Sequence, residues 1–224
     1  MSAKGAVSRH HAAKKRSVVA ARTRPVLRVF FDRIGAAGLA LMLAAGHFAF
    51  ASRNDVMEGN PASPVKVLIY EDLQCGDCAR LRILLDEKIL PRYGSKVAFV
   101  HRDFPLGKHD WAVPAAVAAR WVFEQSSELG IIIRRELLSE QDSITSHNLK
   151  QWLVDFAYRN HLDPKGIVES LSDRRLGALV DQDRQSAVAR GVSRAPTIFV
   201  GGQPFVETII YDDLARALDE ALAK

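Results

Sequence analysis

The chain has 224 residues, of which 48% are hydrophobic and 25% charged, a composition that excludes a disordered or fibrous protein and suits one domain with additional segments. The net charge of +5 is uneven: residues 1–33 carry nine Lys and Arg against one acid, Asp32, so this segment is +8 and the rest of the chain is −3. A mildly acidic remainder argues against a nucleic-acid-binding domain, which needs basic residues on its folded surface.

An apolar segment follows this basic N-terminal tail. Residues 34–51, IGAAGLALMLAAGHFAFA, are eighteen residues without a formal charge, enough to begin spanning a bilayer. Because positive residues stay in the cytoplasm, we expect a single-pass cell-membrane anchor with the C-terminal domain on the periplasmic side. AFA at Ala49–Ala51 also fits signal-peptide cleavage near Ala51, which would leave a soluble exported protein, and the Arg-rich tail fits a mitochondrial address as well. We favour the uncleaved anchor, because the run exceeds the usual signal core of about 7 to 15 residues.

Residues 52–64, SRNDVMEGNPASP, have the Gly, Asn, Pro and Ser content of a linker. The folded domain is therefore expected over residues 65–224. Its first elements are two short apolar runs, VKVLIY at 65–70 and KVAFVH at 96–101, which are typical of buried strands. Between them, apolar residues at helical spacing predict a helix that ends near Gly94.

The remaining elements are a helical block and a hairpin. A helical insertion is predicted over about residues 108–191, with Asp163 and Pro164 as the cap and first residue of one of its helices. TIFV at 197–200, Gly201-Gly202 and QPFV at 203–206 predict a β-hairpin, and a last helix is expected over 211–223. The order β-α-β, helices, β-β-α predicts an α/β protein. Its first two strands are parallel and helices cover both faces of the sheet.

Both cysteines of the chain, Cys75 and Cys78, follow the first predicted strand at the start of the first helix. Free N–H groups and the helix dipole favour negative charge there, so Cys75 should lose its proton more easily than a free thiol. Cys78 lies one helical turn later, close enough to attack a mixed disulfide on Cys75. The spacing supplies an attacking and a resolving thiol.

Two other roles for the pair stay open. A structural disulfide that closes so short a ring would contribute only roughly 2 kcal/mol, against about 3 for a loop of fifteen residues. A zinc site needs about four ligands, and His101 and His109 are not at metal-motif spacing. Transfer of a soft metal such as copper needs only the two cysteines and remains the alternative function.

Three segments carry a resemblance to a known family. NPASPVKVLIYEDLQCGDCARL, LPRYGSKVAFVHRDFPL and GVSRAPTIFVGGQPF resemble the DsbA-like thiol:disulfide oxidoreductases of the thioredoxin-fold superfamily, over roughly residues 60–224. The resemblance implies a thioredoxin-like fold with a helical insertion. It also implies a cis proline, Pro196, beside the cysteines, and a substrate contact through the backbone of Ala195. From the residues alone, an X-Pro bond is more often trans.

The sequence departs from that family between the cysteines, where many relatives have proline followed by histidine or an aromatic residue. Here these positions hold Gly76 and Asp77, which we expect to tune the redox potential. The Asp77 carboxylate should disfavour the Cys75 thiolate and make the pair less oxidising. Glu71 and Asp72 are interpreted as surface carboxylates that need no special role, although they could tune the thiol.

His101 is interpreted as a packing residue at a strand end rather than a catalytic base. The sequence thus predicts an extracytoplasmic oxidoreductase that acts on protein thiols or disulfides through Cys75 and Cys78. No cofactor, metal or nucleic acid is expected. A redox partner, which we expect to be membrane-bound, is required, because each turnover leaves the pair in the opposite redox state.

Overall fold

The computed structural model describes residues 55–224. The basic tail (1–33), the apolar segment (34–51) and the first residues of the expected linker lie outside the described residues, so the anchor stays a prediction. Within residues 55–224, every helix is too short or too polar to cross a membrane.

A five-stranded sheet forms the centre of the domain. Its strands are β1 (Val56–Gly59), β2 (Lys66–Glu71), β3 (Ala98–Asp103), β4 (Thr197–Val200) and β5 (Gln203–Val206). They are ordered β1-β3-β2-β4-β5. Strands β2 and β3 are parallel, whereas the other three neighbouring pairs are antiparallel. The parallel pair and the C-terminal hairpin agree with the prediction.

Strand β1 corrects the sequence analysis, which assigned all of residues 52–64 to a linker. The strand pairs with β3 at the edge of the sheet. Its buried positions are Val56 and Glu58, whereas Gly59 is exposed. The strand is only four residues long, and one of its two buried positions holds an acid, so its sequence shows no alternation of apolar and polar residues. The Gly, Asn and Pro residues that follow it also gave residues 52–64 the composition of a linker.

Helices cover the sheet on both faces. Helix α1 (Gly76–Leu84) continues through a π-helical turn (Leu85–Ile89) into α2 (Leu90–Tyr93). Five helices then lie between β3 and β4, in the interval predicted for the helical insertion, and a last helix follows the hairpin. They are α3 (Ala112–Gln125), α4 (Ser127–Ser139), α5 (Leu149–Arg159), α6 (Pro164–Ser170), α7 (Arg174–Ala189) and α8 (Tyr211–Leu222), with a 3₁₀ turn at Gln141–Ser143 between α4 and α5. Asp163 caps α6 through the N–H of Lys165 at 2.9 Å, as the sequence indicated.

Alternating side chains of β2 enter two hydrophobic cores. Val67 and Ile69 pack on one face with residues of α1, α2 and α8. Tyr70 packs on the other face with the helical insertion, in the core that also contains Cys75 and Cys78. The period of two along a strand produces this division. It leaves the cysteines where the end of β2 meets the insertion.

Candidate active site

Helix α1 positions the two cysteines at its first turn. Cys75 is the N-cap residue, with φ −93° and ψ 123°, and Cys78 lies inside the helix. Both are free thiols. Cys75 is 6% exposed and Cys78 is fully buried, so Cys75 is the more accessible of the two sulfurs.

The two thiols ionise very differently. The pKa of Cys75 is lowered to about 6, because the Cys78 side chain and the backbone N–H groups of Cys78 and Asp77 donate hydrogen bonds to its sulfur, against the opposing effects of burial and of the Asp72 charge. The pKa of Cys78 is raised well above its usual value, chiefly by burial and then by its hydrogen bond to Cys75 and the charge of Cys75. This difference between a more acidic thiol and a fully buried neutral one is that expected of an attacker and a resolver.

The loop before β4 lies against the Cys75 sulfur. The Ala195–Pro196 peptide bond is cis, as the resemblance implied. The Cys75 thiol donates to the carbonyl oxygen of Ala195 at 3.4 Å. Ala195 is buried at 3% exposure. The fold therefore brings Cys75 and the Ala195–Pro196 dipeptide together, although 120 positions separate Cys75 from Ala195.

Asp72 touches both cysteines through its backbone. Its N–H donates to the Cys78 sulfur at 3.3 Å, and its carbonyl accepts from the N–H of Cys75 at 3.1 Å. The residue is 1% exposed, which corrects the interpretation of Asp72 as a surface carboxylate. It is buried because the chain turns inward directly after β2 to place the cysteines.

Two glutamines connect the segment between β2 and α1, residues 72–75, to the helical insertion by hydrogen bonds. We call this segment the cysteine loop. The Gln141 carboxamide, in the 3₁₀ turn after α4, donates to the carbonyls of Leu73 at 2.9 Å and Cys75 at 3.1 Å. Gln74 accepts from the N–H of Trp111 at 2.8 Å and donates to Asp110 at 2.9 Å. The insertion thus contributes polar contacts that hold the loop in position.

Gly76 and Asp77 lie on the exposed side of the first turn. A Cβ on Gly76 would meet only the guanidinium of Arg80, at 3.9 Å. The Asp77 carboxylate forms an ion pair with Arg80, which is 73% exposed. Asp77 also donates its backbone N–H toward Cys75, which lowers the Cys75 pKa. The ion pair with Arg80 and the surrounding solvent weaken the electrostatic effect of the Asp77 carboxylate on a Cys75 thiolate.

A buried ionic cluster lies beside the site, across the ends of β2 and β3. The His101 ring lies between two carboxylates, with Nδ1 3.0 Å from Glu71 and Nε2 3.3 Å from Glu58. Burial opposes the charge, but the two carboxylates outweigh it and raise the His101 pKa. Arg134 contacts Glu71 at 2.9 Å and Asp103 at 2.8 Å. The other buried members are Asp55, Arg82, Arg120 and Asp183.

This cluster corrects the interpretation of Glu71 as a surface carboxylate and explains His101. Glu71 is 3% exposed, and its pKa lies well below its usual value because His101 and Arg134 outweigh the effect of burial. His101 is an ion-paired residue of the interior. Sequence spacing did not indicate this role because the partners of His101 come from two other strands, Glu58 from β1 and Glu71 from β2.

The described residues offer no third metal ligand for the cysteines. Among residues 55–224, no group of three or more His, Cys, Asp or Glu side chains is placed to hold a metal ion. A site formed by the two sulfurs alone would be two-coordinate, as the alternative function supposes.

The thioredoxin family model matches residues 51–220 of this chain. The chain belongs to the thioredoxin family. Among solved structures, this thioredoxin-family chain is similar to alpha-DsbA1 of Wolbachia pipientis, with 18% identity and a TM-score of 0.68 over 78% of this chain and 94% of the other. It is also similar to oxidised BdbD of Bacillus subtilis, with 19% identity and a TM-score of 0.69 over 76% and 94%. The DsbA-like fold expected from the sequence is therefore confirmed.

The chain is also similar to a third solved structure and to part of a longer curated protein. The thiol-disulfide exchange protein alpha-DsbA2 of Wolbachia pipientis matches with 22% identity and a TM-score of 0.63, over 73% of this chain and 85% of that protein. The Na(+)/H(+) antiporter NhaA 1 of Mycobacterium sp. (strain KMS) is 27% identical over 170 residues, which are 74% of this chain and 26% of the antiporter. The chain thus spans about a quarter of the length of that curated relative.

Three residues near the site were missed or undervalued in the sequence analysis: Asp72, His109 and Gln141. Asp72 directly follows a strand and precedes the cysteine pair, which is a usable signal for a site residue. For His109, the sequence spacing argued only against a role as metal ligand. Gln141 lies 66 positions after Cys75, and no local pattern distinguishes it from other polar residues of the insertion.

Proposed function

We propose that this protein is an extracytoplasmic thiol:disulfide oxidoreductase that exchanges disulfides with protein substrates through Cys75-Gly76-Asp77-Cys78. The observation that carries the proposal is the placement of Cys75 at the N-terminus of α1 beside the Ala195 carbonyl, with the fully buried Cys78 one turn later; the lowered pKa of Cys75, about 6, agrees with it. Membership in the thioredoxin family supports the same chemistry. The basic tail and the apolar segment support delivery across the cytoplasmic membrane.

In the reducing direction, the Cys75 thiolate attacks one sulfur of a substrate disulfide. A bond forms between Cys75 and that sulfur, the substrate S–S bond breaks, and the other substrate sulfur leaves as a thiolate that takes up a proton. Cys78 then loses its proton and attacks Cys75. The Cys75–Cys78 disulfide forms, the second substrate thiolate leaves, and two electrons have passed to the substrate. The reverse sequence oxidises a dithiol substrate.

The Ala195–Pro196 dipeptide is proposed to receive the substrate chain. The Ala195 carbonyl is already within 3.4 Å of the Cys75 sulfur, so a peptide that binds this backbone would present its own sulfur to Cys75. Gly76 and Asp77 are proposed to tune the potential. A partner protein that restores the pair after each turnover is proposed as well, and the anchor would favour a membrane-bound one.

Insulin reduction by the purified protein tests the proposal. Wild type is expected to precipitate insulin in the presence of a reductant, and Cys75→Ser is expected to be inactive. Cys78→Ser should instead trap a mixed disulfide on Cys75, which peptide mapping by mass spectrometry would locate. A mixed disulfide that accumulates on Cys78 of Cys75→Ser would reverse the two roles. Absence of exchange in wild type, with stoichiometric binding of Cu(I) to the cysteines, would favour the metal-transfer function instead.

A further inference from the structure

An arginine of helix α1 lies beside the cysteine pair. Arg80 forms an ion pair with Asp77, and its Nη1 lies 3.9 Å from the point where a Cβ on Gly76 would stand. Gly76 directly follows Cys75 in the chain. The Arg80 guanidinium is therefore next to the residue that follows the more accessible cysteine.

A second arginine approaches the same sulfur from the loop before β4. Arg194 directly precedes Ala195, whose carbonyl oxygen lies 3.4 Å from the Cys75 sulfur. The Arg194 carbonyl accepts from the Thr197 hydroxyl at 2.7 Å, and the Arg194 guanidinium pairs with Glu207 at 2.6 Å. Both the backbone and the side chain of Arg194 are thus held in position.

Glu207 stands where the backbone conformation favours glycine. It directly follows β5 and has a φ of +58°, in the left-handed region that glycine adopts at lower cost than other residues. Its N–H donates to the Pro196 carbonyl at 2.8 Å, a contact that glycine would make equally well. What the carboxylate adds at this position is the ion pair with Arg194. The Glu207 side chain is therefore explained by the orientation that it gives to the Arg194 guanidinium.

In both ion pairs the arginine is the more exposed member. The side chain of Arg80 is 73% exposed against 33% for Asp77, and that of Arg194 is 63% exposed against 39% for Glu207. Each carboxylate contacts one guanidinium nitrogen, whereas a guanidinium carries five N–H donors in a planar arrangement that matches a carboxylate. The outward side of both pairs is therefore positive and retains donors for a further carboxylate.

The helical insertion adds charges of both signs at this end of the domain. Lys108 and Asp110 are exposed in the segment before α3, and Asp142 is exposed beside Gln141 in the 3₁₀ turn. Asp110 accepts a hydrogen bond from the cysteine loop at 2.9 Å. A preference for one sign of charge is therefore expected only for substrate residues next to the reacting cysteine, which the two arginines flank.

We propose that Arg80 and Arg194 form a binding site for a substrate segment that carries Asp or Glu next to its reacting cysteine. Asp77 and Glu207 hold the two guanidinium groups, and the remaining N–H donors bind the substrate carboxylates. The inference deepens the proposed function and rests on it, because the bound segment is the one whose cysteine exchanges with Cys75.

Disulfide exchange with short peptides tests the two-arginine site. Three peptides carry one cysteine as a mixed disulfide with thiopyridine and differ only in the residues on either side of it, which are Glu, Gln or Lys. Attack by the Cys75 thiolate forms a Cys75–peptide disulfide and releases thiopyridone, whose absorbance gives the rate. Dithiothreitol, which has no binding site, provides the intrinsic ratio of the Glu to the Gln peptide. Wild type is expected to exceed this ratio by up to about fivefold for each arginine, the upper range of an exposed ion pair, and by less at high salt.

Substitution of one arginine provides the decisive comparison. Arg194→Gln is expected to lower the ratio toward that of dithiothreitol, and Arg194→Glu is expected to favour the Lys peptide. Arg175→Gln is the matched control and should leave the ratio unchanged, because Arg175 is 57% exposed and pairs with Glu124 at the C-terminal end of α3. A wild-type ratio equal to that of dithiothreitol overturns the inference, as does an equal fall in Arg175→Gln and Arg194→Gln.

Binding without chemistry separates the two-arginine site from the proposed function. Fluorescent peptides with serine in place of cysteine, added to Cys75→Ser, report binding by anisotropy. Tighter binding of the Glu peptide that is lost on adding Arg194→Gln, in a protein whose wild type lacks exchange activity, would contradict the proposed function and keep the site. Exchange in wild type with no preference beyond that of dithiothreitol would keep the function and remove the arginines from it.

Discussion

The Cys75 thiol donates to the carbonyl oxygen of Ala195 at 3.4 Å, across 120 positions of the chain. Cys75 precedes α1, and Ala195 precedes β4, which pairs with β2. The pairing of these two strands is what brings the thiol and the carbonyl together. The Cys75 sulfur therefore lies at a junction of two chain segments, which is where the proposed function requires a substrate backbone and a substrate sulfur to be held at once.

Alkylation of Cys75 should depend strongly on pH. Because its pKa is about 6 and the thiolate is the nucleophile, the rate with iodoacetamide is expected to rise about tenfold per pH unit below 6 and to level off above it. Cys78 should stay unmodified in the native protein, since it is buried and its pKa is raised. A rate that keeps rising to pH 9 would contradict the lowered pKa. Cys75→Ser is the control for labelling at Cys78.

The pH dependence of the reduction potential of the cysteine pair should reflect the ionisation of Cys75. Below the Cys75 pKa, reduction of the disulfide takes up two protons, and above it only one. The potential is therefore expected to fall by roughly 60 mV per pH unit below about pH 6 and by roughly 30 mV per unit above it. Equilibration with glutathione at several pH values measures this change of slope. A single slope from pH 5 to 8 would be inconsistent with a Cys75 pKa near 6.

Asp77 should tune the pair only weakly. Its carboxylate is paired with Arg80 and partly exposed, so Asp77→His is expected to lower the Cys75 pKa and raise the potential, with a pKa change of about 0.5 or less. Arg80→Gln should act in the opposite direction, because it leaves the Asp77 charge uncompensated. Thiolate absorbance measures both variants. A rise of the Cys75 pKa in Asp77→His would show that the sign of the Asp77 effect is wrong.

Gln141 should stabilise the cysteine loop from the helical insertion. Gln141→Ala removes hydrogen bonds to the carbonyls of Leu73 and Cys75 and is expected to lower the free energy of unfolding by about 1 to 3 kcal/mol. Insulin reduction should slow as well, because the Cys75 backbone is held less firmly. Gln125→Ala, whose carboxamide makes one weak exposed contact at 3.4 Å, is the control. Equal stability of the two variants in urea would refute the contribution of Gln141.

Glu71 should be required for stability because it neutralises His101 and Arg134 in the interior. Glu71→Gln removes the carboxylate that pairs with both residues. Removing one member of a buried ion pair lowers the free energy of unfolding by about 3 to 5 kcal/mol. Denaturant unfolding measures the loss, and Glu87→Gln on the exposed side of the π-helical turn is the control. A loss no larger than that of the control would indicate that the cluster contributes little.

The stability that this ionic cluster contributes should fall at both low and high pH. The Glu58 pKa is lowered to about 2, so its contribution is complete above its ordinary value of 4.5 and is lost as the pH falls toward 2. The His101 pKa is raised, so its contribution is complete below its ordinary value of 6.5 and is lost as the pH rises through the folded value. The cluster should thus stabilise the protein most between about pH 4.5 and 6.5. His101→Gln should weaken this maximum.

The sequence alone determined the elements that depend on local patterns. Short apolar runs indicated β2, β3 and the hairpin, and helical spacing indicated the insertion, because one face of each element must be buried. The cysteine spacing and the start of a helix predicted that Cys75 is the more acidic thiol, since free N–H groups at a helix terminus lie within one turn of the chain, and the pKa of Cys75 is lowered. The family resemblance added the cis peptide bond before Pro196.

Only the tertiary structure decided the surroundings of the two sulfurs. Glu71 and Asp72 stand at a strand end, where acids are usually solvated, yet Asp72 is bound by Leu106 and His109 and Glu71 by His101 and Arg134. These partners come from separate elements, so no spacing in the sequence encodes them. A carboxylate is stable in the interior only where the fold brings donors and positive charges to it, and that condition is met by chain segments that meet in space.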